Sequence, residues 1–199
     1  MNEKGSVPVV VATECDFDRE VVRGSWEQPV VAVFHADGDV VSDGVLAALQ
    51  WAETADGSVI RKPVLVKVPF SCVGGLAVRH RVKAAPTVLA FDRGGFREIP
   101  VILGVNTGPE DGWWLPGPYE TLTALLWELQ HRMDAFVFVR IDAGAQPAVA
   151  KSYHAGDGPC LVLLRGGVEA SRLSRGGRKD VLEWFRRNGM DVDYGEHGM

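Results

Sequence analysis

VLVKVPFSCVGGLAVRHRVKAAPTVLAFDRG, residues Val64–Gly94, lies without a gap over VFVRIDAGAQPAVAKSYHAGDGPCLVLLRGG, residues Val137–Gly167, at a constant offset of 73 residues. Five positions are identical: Val64/Val137, Val66/Val139, Ala77/Ala150, Pro86/Pro159 and Gly94/Gly167. The pattern is stronger than the identity. In each copy an apolar run leads into a short helix-like segment, then a lone proline stands directly before a second apolar run that ends in a glycine-containing turn. A repeat at fixed spacing is the signature of one supersecondary unit used twice, and it constrains the fold before any single residue does.

Upstream of the first copy, Val7–Ala12 is β-branched and reads as a strand. Cys15–Arg23 reads as a short helix with Asp16 or Asp18 as its cap, and Pro29–Phe34 as a strand covered on both faces. Ser42–Ala55 places Val45, Leu46, Leu49 and Ala52 on one helical face, with Ser42 as the natural cap. Val73–Arg81 is a weak helix, handicapped by Gly74 and Gly75. Thr87–Phe91 and Phe96–Leu103, joined through Asp92–Gly95, read as an antiparallel hairpin. The first part therefore runs β-α-β-α-β-α-β-β, an α/β pattern with a mostly parallel sheet finished by a hairpin.

Downstream, Asn106–Pro118 is rich in Gly and Pro and reads as a loop. Tyr119–Met133 carries Leu122, Leu125, Leu126 and Leu129 on one helical stripe. Phe136–Ile141 is a strand, Pro147–His154 a helix, Leu161–Leu164 with Glu169–Leu173 a second hairpin, and Lys179–Arg187 a closing amphipathic helix.

The 199 residues suit one large domain or two small ones, and are enough to bury a core without staples. The net charge of −5 excludes a chain-wide nucleic-acid or anionic-membrane footprint. No apolar run approaches the roughly 20 residues that span a bilayer, so membrane insertion is not expected. Met1–Ser6 is polar, and Val7–Ala12 is too short for a signal h-region. Three cysteines without a Cys-x-x-Cys spacing make neither a disulfide scaffold nor a four-cysteine zinc site. The expected location is the cytoplasm.

This order of elements, with a proline before the hairpin, resembles the thioredoxin fold. Pro29–Phe34 followed by His35–Ser42 resembles the family strand that leads into a W-C-G-P-C turn. Ala85-Pro86-Thr87 is similar to the family's Pro-Thr, whose proline is cis and faces that turn, and Phe91–Gly94 is similar to its F-x-x-G hairpin. In the second copy Gly158-Pro159-Cys160 takes the Pro-Thr place. The resemblance implies two tandem thioredoxin-like modules, residues 1–107 and 108–199. The second is either a truncated half or shares elements with the first. In one reading Tyr119–Met133 closes module one. In the other, Pro100–Asn106 is the central strand of module two, although module one also needs Val101–Leu103 for its last strand.

Thioredoxin chemistry requires a low-pKa thiolate at a helix N-terminus and a resolving thiol shortly after it. The resemblance puts those positions at Asp39 and Ser42, in the turn Asp39-Val40-Val41-Ser42, which contains no thiol. A carboxylate cannot attack a disulfide, and Asp39 at a helix N-terminus is electrostatically comfortable. Cys160, after the cis-proline candidate Pro159, is the one thiol beside the old groove. It is either a monothiol site or a small apolar residue opening a strand. No metal spacing links the five histidines, no phosphate-binding loop is complete, and no cofactor is implied.

The remaining candidates are surface features. Trp113-Trp114-Leu115 concentrates apolar bulk in a loop, either as a dock or as a plug between modules. The stretch 165–187 has seven basic residues against three acidic ones, read as a solvated face or as a site for an acidic partner. The pattern points to a non-catalytic protein-interaction, assembly or chaperone-like unit with a protein partner, and leaves homo-oligomers open. The alternatives are a monothiol oxidoreductase or thiol sensor using Cys160, and a subunit of a larger complex docked through Trp113 and Trp114.

Overall fold

A computed structural model describes residues 10–55, 63–106, 136–154, 160–174 and 176–190, with side chains described for all of these except 51–55 and 106. Apolar β-branched runs form the first sheet. Its strands are β1 (Val10–Val11), β2 (Val30–His35), β3 (Val64–Pro69), β4 (Thr87–Asp92) and β5 (Gly95–Ile99), in the order β1-β3-β2-β4-β5. β1 and β2 lie parallel to β3, while β4 is antiparallel to β2 and to β5. The central strand β2 is buried along almost its whole length, as both-face coverage demands.

The second sheet has β6 (Val101–Asn106), β7 (Val137–Asp142), β8 (Cys160–Arg165) and β9 (Val168–Leu173), in the order β7-β6-β8-β9. Its β6, β7 and β8 pair as β2, β3 and β4 do, but among the described residues no strand answers to β1, and the β8–β9 register shifts between Leu163 and Leu164. Val30 pairs with Val64 and with Phe91, as Val101 pairs with Val137 and with Leu164. Helix α2 (Gly74–Arg79) follows β3, and helix α3 (Pro147–Ser152) follows β7, at the sequence offset of the repeat. Even the left-handed positions recur: Arg81 and His154 at φ 58° and 50°, Gly94 and Gly167 at 78° and 79°.

Several boundaries differ from expectation. Phe96–Leu103 is not one strand. It breaks at Pro100, which has no N–H for a ladder, and the chain passes there into the second sheet. β6 thus stands between β7 and β8 in the second sheet. The first helix is a π-helical turn, Asp18–Arg23, followed by a 3-10 turn, Gly24–Trp26. Helix α1 (Val40–Ala55) begins two residues before the expected Ser42. The helix expected at 119–133 lies outside the described residues.

The faces of both sheets are apolar, and three cores result. Ala32, Phe34, Val66 and Phe91 on one face of the first sheet pack with Phe17, Val21 and Leu76. The opposite face supplies Val33, Leu65 and Val88 to a core shared with α1 and with Leu103, Val139, Val162 and Leu164 of the second sheet. Helix α4 (Arg178–Arg187) covers the far face of the second sheet with Val181, Trp184 and Phe185. Helix α1 is therefore sandwiched. Val41 and Val45 are fully enclosed, worth about 1.5–3 kcal/mol each. A Cβ at Gly44 would come within 2.7 Å of Val139 Cγ1, so the missing side chain lets α1 approach β7 this closely.

Candidate functional site

The turn between β2 and α1 is closed by its own side chains. Asp39 Oδ2 accepts the N–H of Ser42 at 2.9 Å and its hydroxyl at 2.6 Å, so Asp39 is the cap and Ser42 sits in the first turn. The Ser42 Oγ accepts in turn from the Ala36 N–H at 3.2 Å. Ser42 and Val41 are buried, and Val40 is partly exposed. Ser42, expected as the cap, is thus displaced from that role by a carboxylate three residues earlier.

The Ala85–Pro86 peptide bond is cis. Thr87 pairs with Phe34, so the next residues along that register are Pro86 and His35, beside the Asp39 turn. The Thr87 hydroxyl donates to the Ala84 carbonyl at 2.8 Å. Just upstream, the N–H groups of Lys83 and Ala84 both donate to the carbonyl of Gly166, at 3.0 and 2.9 Å. The hairpin turn of the second sheet therefore rests against the segment that precedes Pro86.

His35 is buried, and neither ring nitrogen has a hydrogen-bond partner among the described residues. Its nearest carboxylate is Asp37, 3.6 Å from Nδ1, which also lies 3.8 Å from the Lys67 ammonium. Burial, then Lys67, pushes the His35 pKa down, which holds the ring neutral. His80 is a second buried imidazole without a partner, enclosed by the rings of Phe17, Phe91 and Phe96. Its pKa is also pushed down, by burial and by Arg79.

Cys160 opens β8 and lies buried in the core between the sheets. Its Sγ accepts from Arg172 Nη1 at 3.3 Å, across the β8–β9 hairpin. The same guanidinium is held by Glu169, at 3.0 and 2.7 Å, and donates to the Tyr153 carbonyl. Burial pushes the thiol pKa up, and Arg172 opposes it without reversing it. The Tyr153 phenol is pushed up by burial, then by the charges of Asp39 and Glu169. Tyr153 packs against the same core as Cys160. Arg172 and Glu169 belong to the basic stretch that the sequence marked, but nothing there linked them to Cys160, and nothing marked Tyr153.

Cys15 and Cys72 are exposed. Pro159, Trp113, Trp114 and Leu115 lie outside the described residues. Among the described residues, no cluster of three or more His, Cys, Asp or Glu side chains could hold a metal ion. No helix among them is long and apolar enough to cross a membrane. Much of the basic stretch is internally engaged. Arg165 donates to the Asn188 carbonyl, Arg172 is paired with Glu169, and Arg186 and Arg187 are paired with Glu183.

No protein-family model matches the chain, and no curated protein matches it. Among solved structures, human ERp44 in its zinc-bound form is similar at a TM-score of 0.38 and 14% identity, over 90% of this chain and 60% of that one. The chain thus spans 60% of the length of the structure it matches.

Proposed function

We propose that the chain is a non-catalytic protein-interaction unit of two thioredoxin-like modules meeting at Pro100, which takes an extended segment of a partner protein along the backbone beside Pro86, before β4 begins. The observation that carries this reading is the Asp39 turn. A carboxylate and a hydroxyl, bonded to each other, fill the helix N-terminus where a dithiol protein holds its thiolate. Thiol–disulfide exchange has no nucleophile there. A capped helix and a stretch of backbone before an interior strand are enough for a recognition module, since main-chain pairing supplies affinity without chemistry.

The test has two arms. With dithiothreitol as reductant, the wild-type protein is expected to leave insulin-disulfide reduction at the reagent's own rate. The double substitution Asp39→Cys/Ser42→Cys should accelerate it. Separately, reduced and carboxymethylated α-lactalbumin, as an extended probe, should shift the amide signals of Val40 and Thr87. Wild-type acceleration, or a probe that leaves those signals in place, refutes the reading.

A second reading rests on the Arg172 contact. A guanidinium on Sγ favours a thiolate, so Cys160 would serve as a monothiol redox site. Its enclosure and raised pKa favour the first reading.

A further inference from the structure

The geometry points to a built-in competitor for the segment before Pro86: we propose that the β8–β9 turn, Gly166-Gly167, occupies main-chain donors that a bound chain would use, so that partner binding requires this turn to lift away. The inference rests on the interaction reading above and adds its regulation.

A chain laid beside Pro86 must find backbone donors near it. Pro86 has no N–H, and Thr87 is already part of the β2–β4 ladder. Upstream, two successive donors, Lys83 and Ala84, both point at one acceptor, the Gly166 carbonyl. The Gly166 N–H is itself fixed by Glu98 of β5, which accepts it at 2.6 Å. The turn is therefore held on both of its polar groups by the first sheet. Its approach is too close for any side chain. A Cβ on Gly167 would overlap the Ala84 carbonyl, at 1.9 Å from its oxygen, and φ there is +79°. The matching turn of the first sheet behaves differently. Arg93 and Gly94 donate to the carbonyl and hydroxyl of Ser25, within their own half of the chain. Only the second turn crosses to the other half of the chain.

Both the contact and its effect on binding can be measured. Hydrogen exchange of the Lys83 and Ala84 amides reports the contact, and titration with reduced, carboxymethylated α-lactalbumin reports binding. In the wild-type protein both amides should be protected. Gly167→Ala should release them and tighten probe binding roughly tenfold, the order expected when a chain no longer competes for two backbone hydrogen bonds. Glu98→Ala, a milder change on the half-buried edge strand, should move both readouts the same way by less, and serves if Gly167→Ala fails to fold. Gly94→Ala strains the matching turn without touching this contact, and should leave the two amides protected and the affinity unchanged. Unprotected amides in the wild-type protein overturn the proposal. So do released amides with unchanged probe affinity, while the interaction reading survives that result. If no variant binds the probe, the interaction reading itself falls, and the competitor with it.

Discussion

Replacing Asp39 by Ala removes the acceptor of two hydrogen bonds at once, both from Ser42, whose N–H and hydroxyl are buried. Loss of an N-cap costs about 1 kcal/mol. Leaving a buried donor without a partner costs about 1–3 kcal/mol. The cap bond is one of the two, so the terms overlap, and a loss of about 2–3 kcal/mol is expected. Asp39→Asn keeps an acceptor at the same place and forfeits chiefly the charge attraction to the helix N-terminus, about 0.3–1 kcal/mol. Urea unfolding followed by far-UV circular dichroism separates the two variants. With a slope of about 2 kcal/mol/M, Asp39→Ala should move the midpoint down by about 1 M at unchanged slope, and Asp39→Asn by less than half of that. An Asp39→Ala midpoint within about 0.25 M of wild type would refute the capping argument. Equal losses for the two variants would show that charge, not acceptor geometry, holds the turn.

Iodoacetamide under native conditions should label Cys15 and Cys72 and spare Cys160, with the third label appearing on unfolding. Native labelling of Cys160 as fast as the exposed pair would contradict its enclosure and support the monothiol reading. For pH, both His35 and His80 have folded-state pKa values below the ordinary 6.5, so the unfolded chain binds more protons in the window below that value. Stability from these rings is complete above about 6.5 and falls as pH drops through the depressed values, by about 1.4 kcal/mol per unit of depression. His80→Phe, which keeps an aromatic ring among Phe17, Phe91 and Phe96, should shrink the difference in urea midpoint between pH 7.5 and 5.5; an unchanged difference counts against it. Gly44→Leu forces bulk against Val139 and should cost about 1–3 kcal/mol by overpacking. A thermal melt equal to wild type would show that α1 and β7 are not so tightly joined.

The order of strands and short helices was legible because its carriers are local. Apolar runs mark strands covered on both faces, and a proline and a glycine punctuate each copy, so β3 and β7, α2 and α3, β4 and β8 fall at one offset. The cap was misplaced because Asp39 and Ser42 are both good capping residues three positions apart, and local propensity cannot rank them. Burial decides: Ser42 is enclosed within the first turn, and Asp39 is the residue left outside the helix. Pro100 carried a readable signal, a residue without a ladder donor inside an apolar run. The contacts of the candidate site were not readable. Arg172 reaches Cys160 only once β8 and β9 pair, and Gly166 reaches Lys83 and Ala84 only once the two sheets stack.

The sandwiched helix leaves neither sheet a core of its own on that side. Here the two sheets share α1 and one core, with Val33, Leu65 and Val88 on one side and Leu103, Val139 and Val162 on the other. Cutting at Pro100 would bare an apolar face on both pieces. A substitution in that shared core that suits one sheet must also be tolerated by the other.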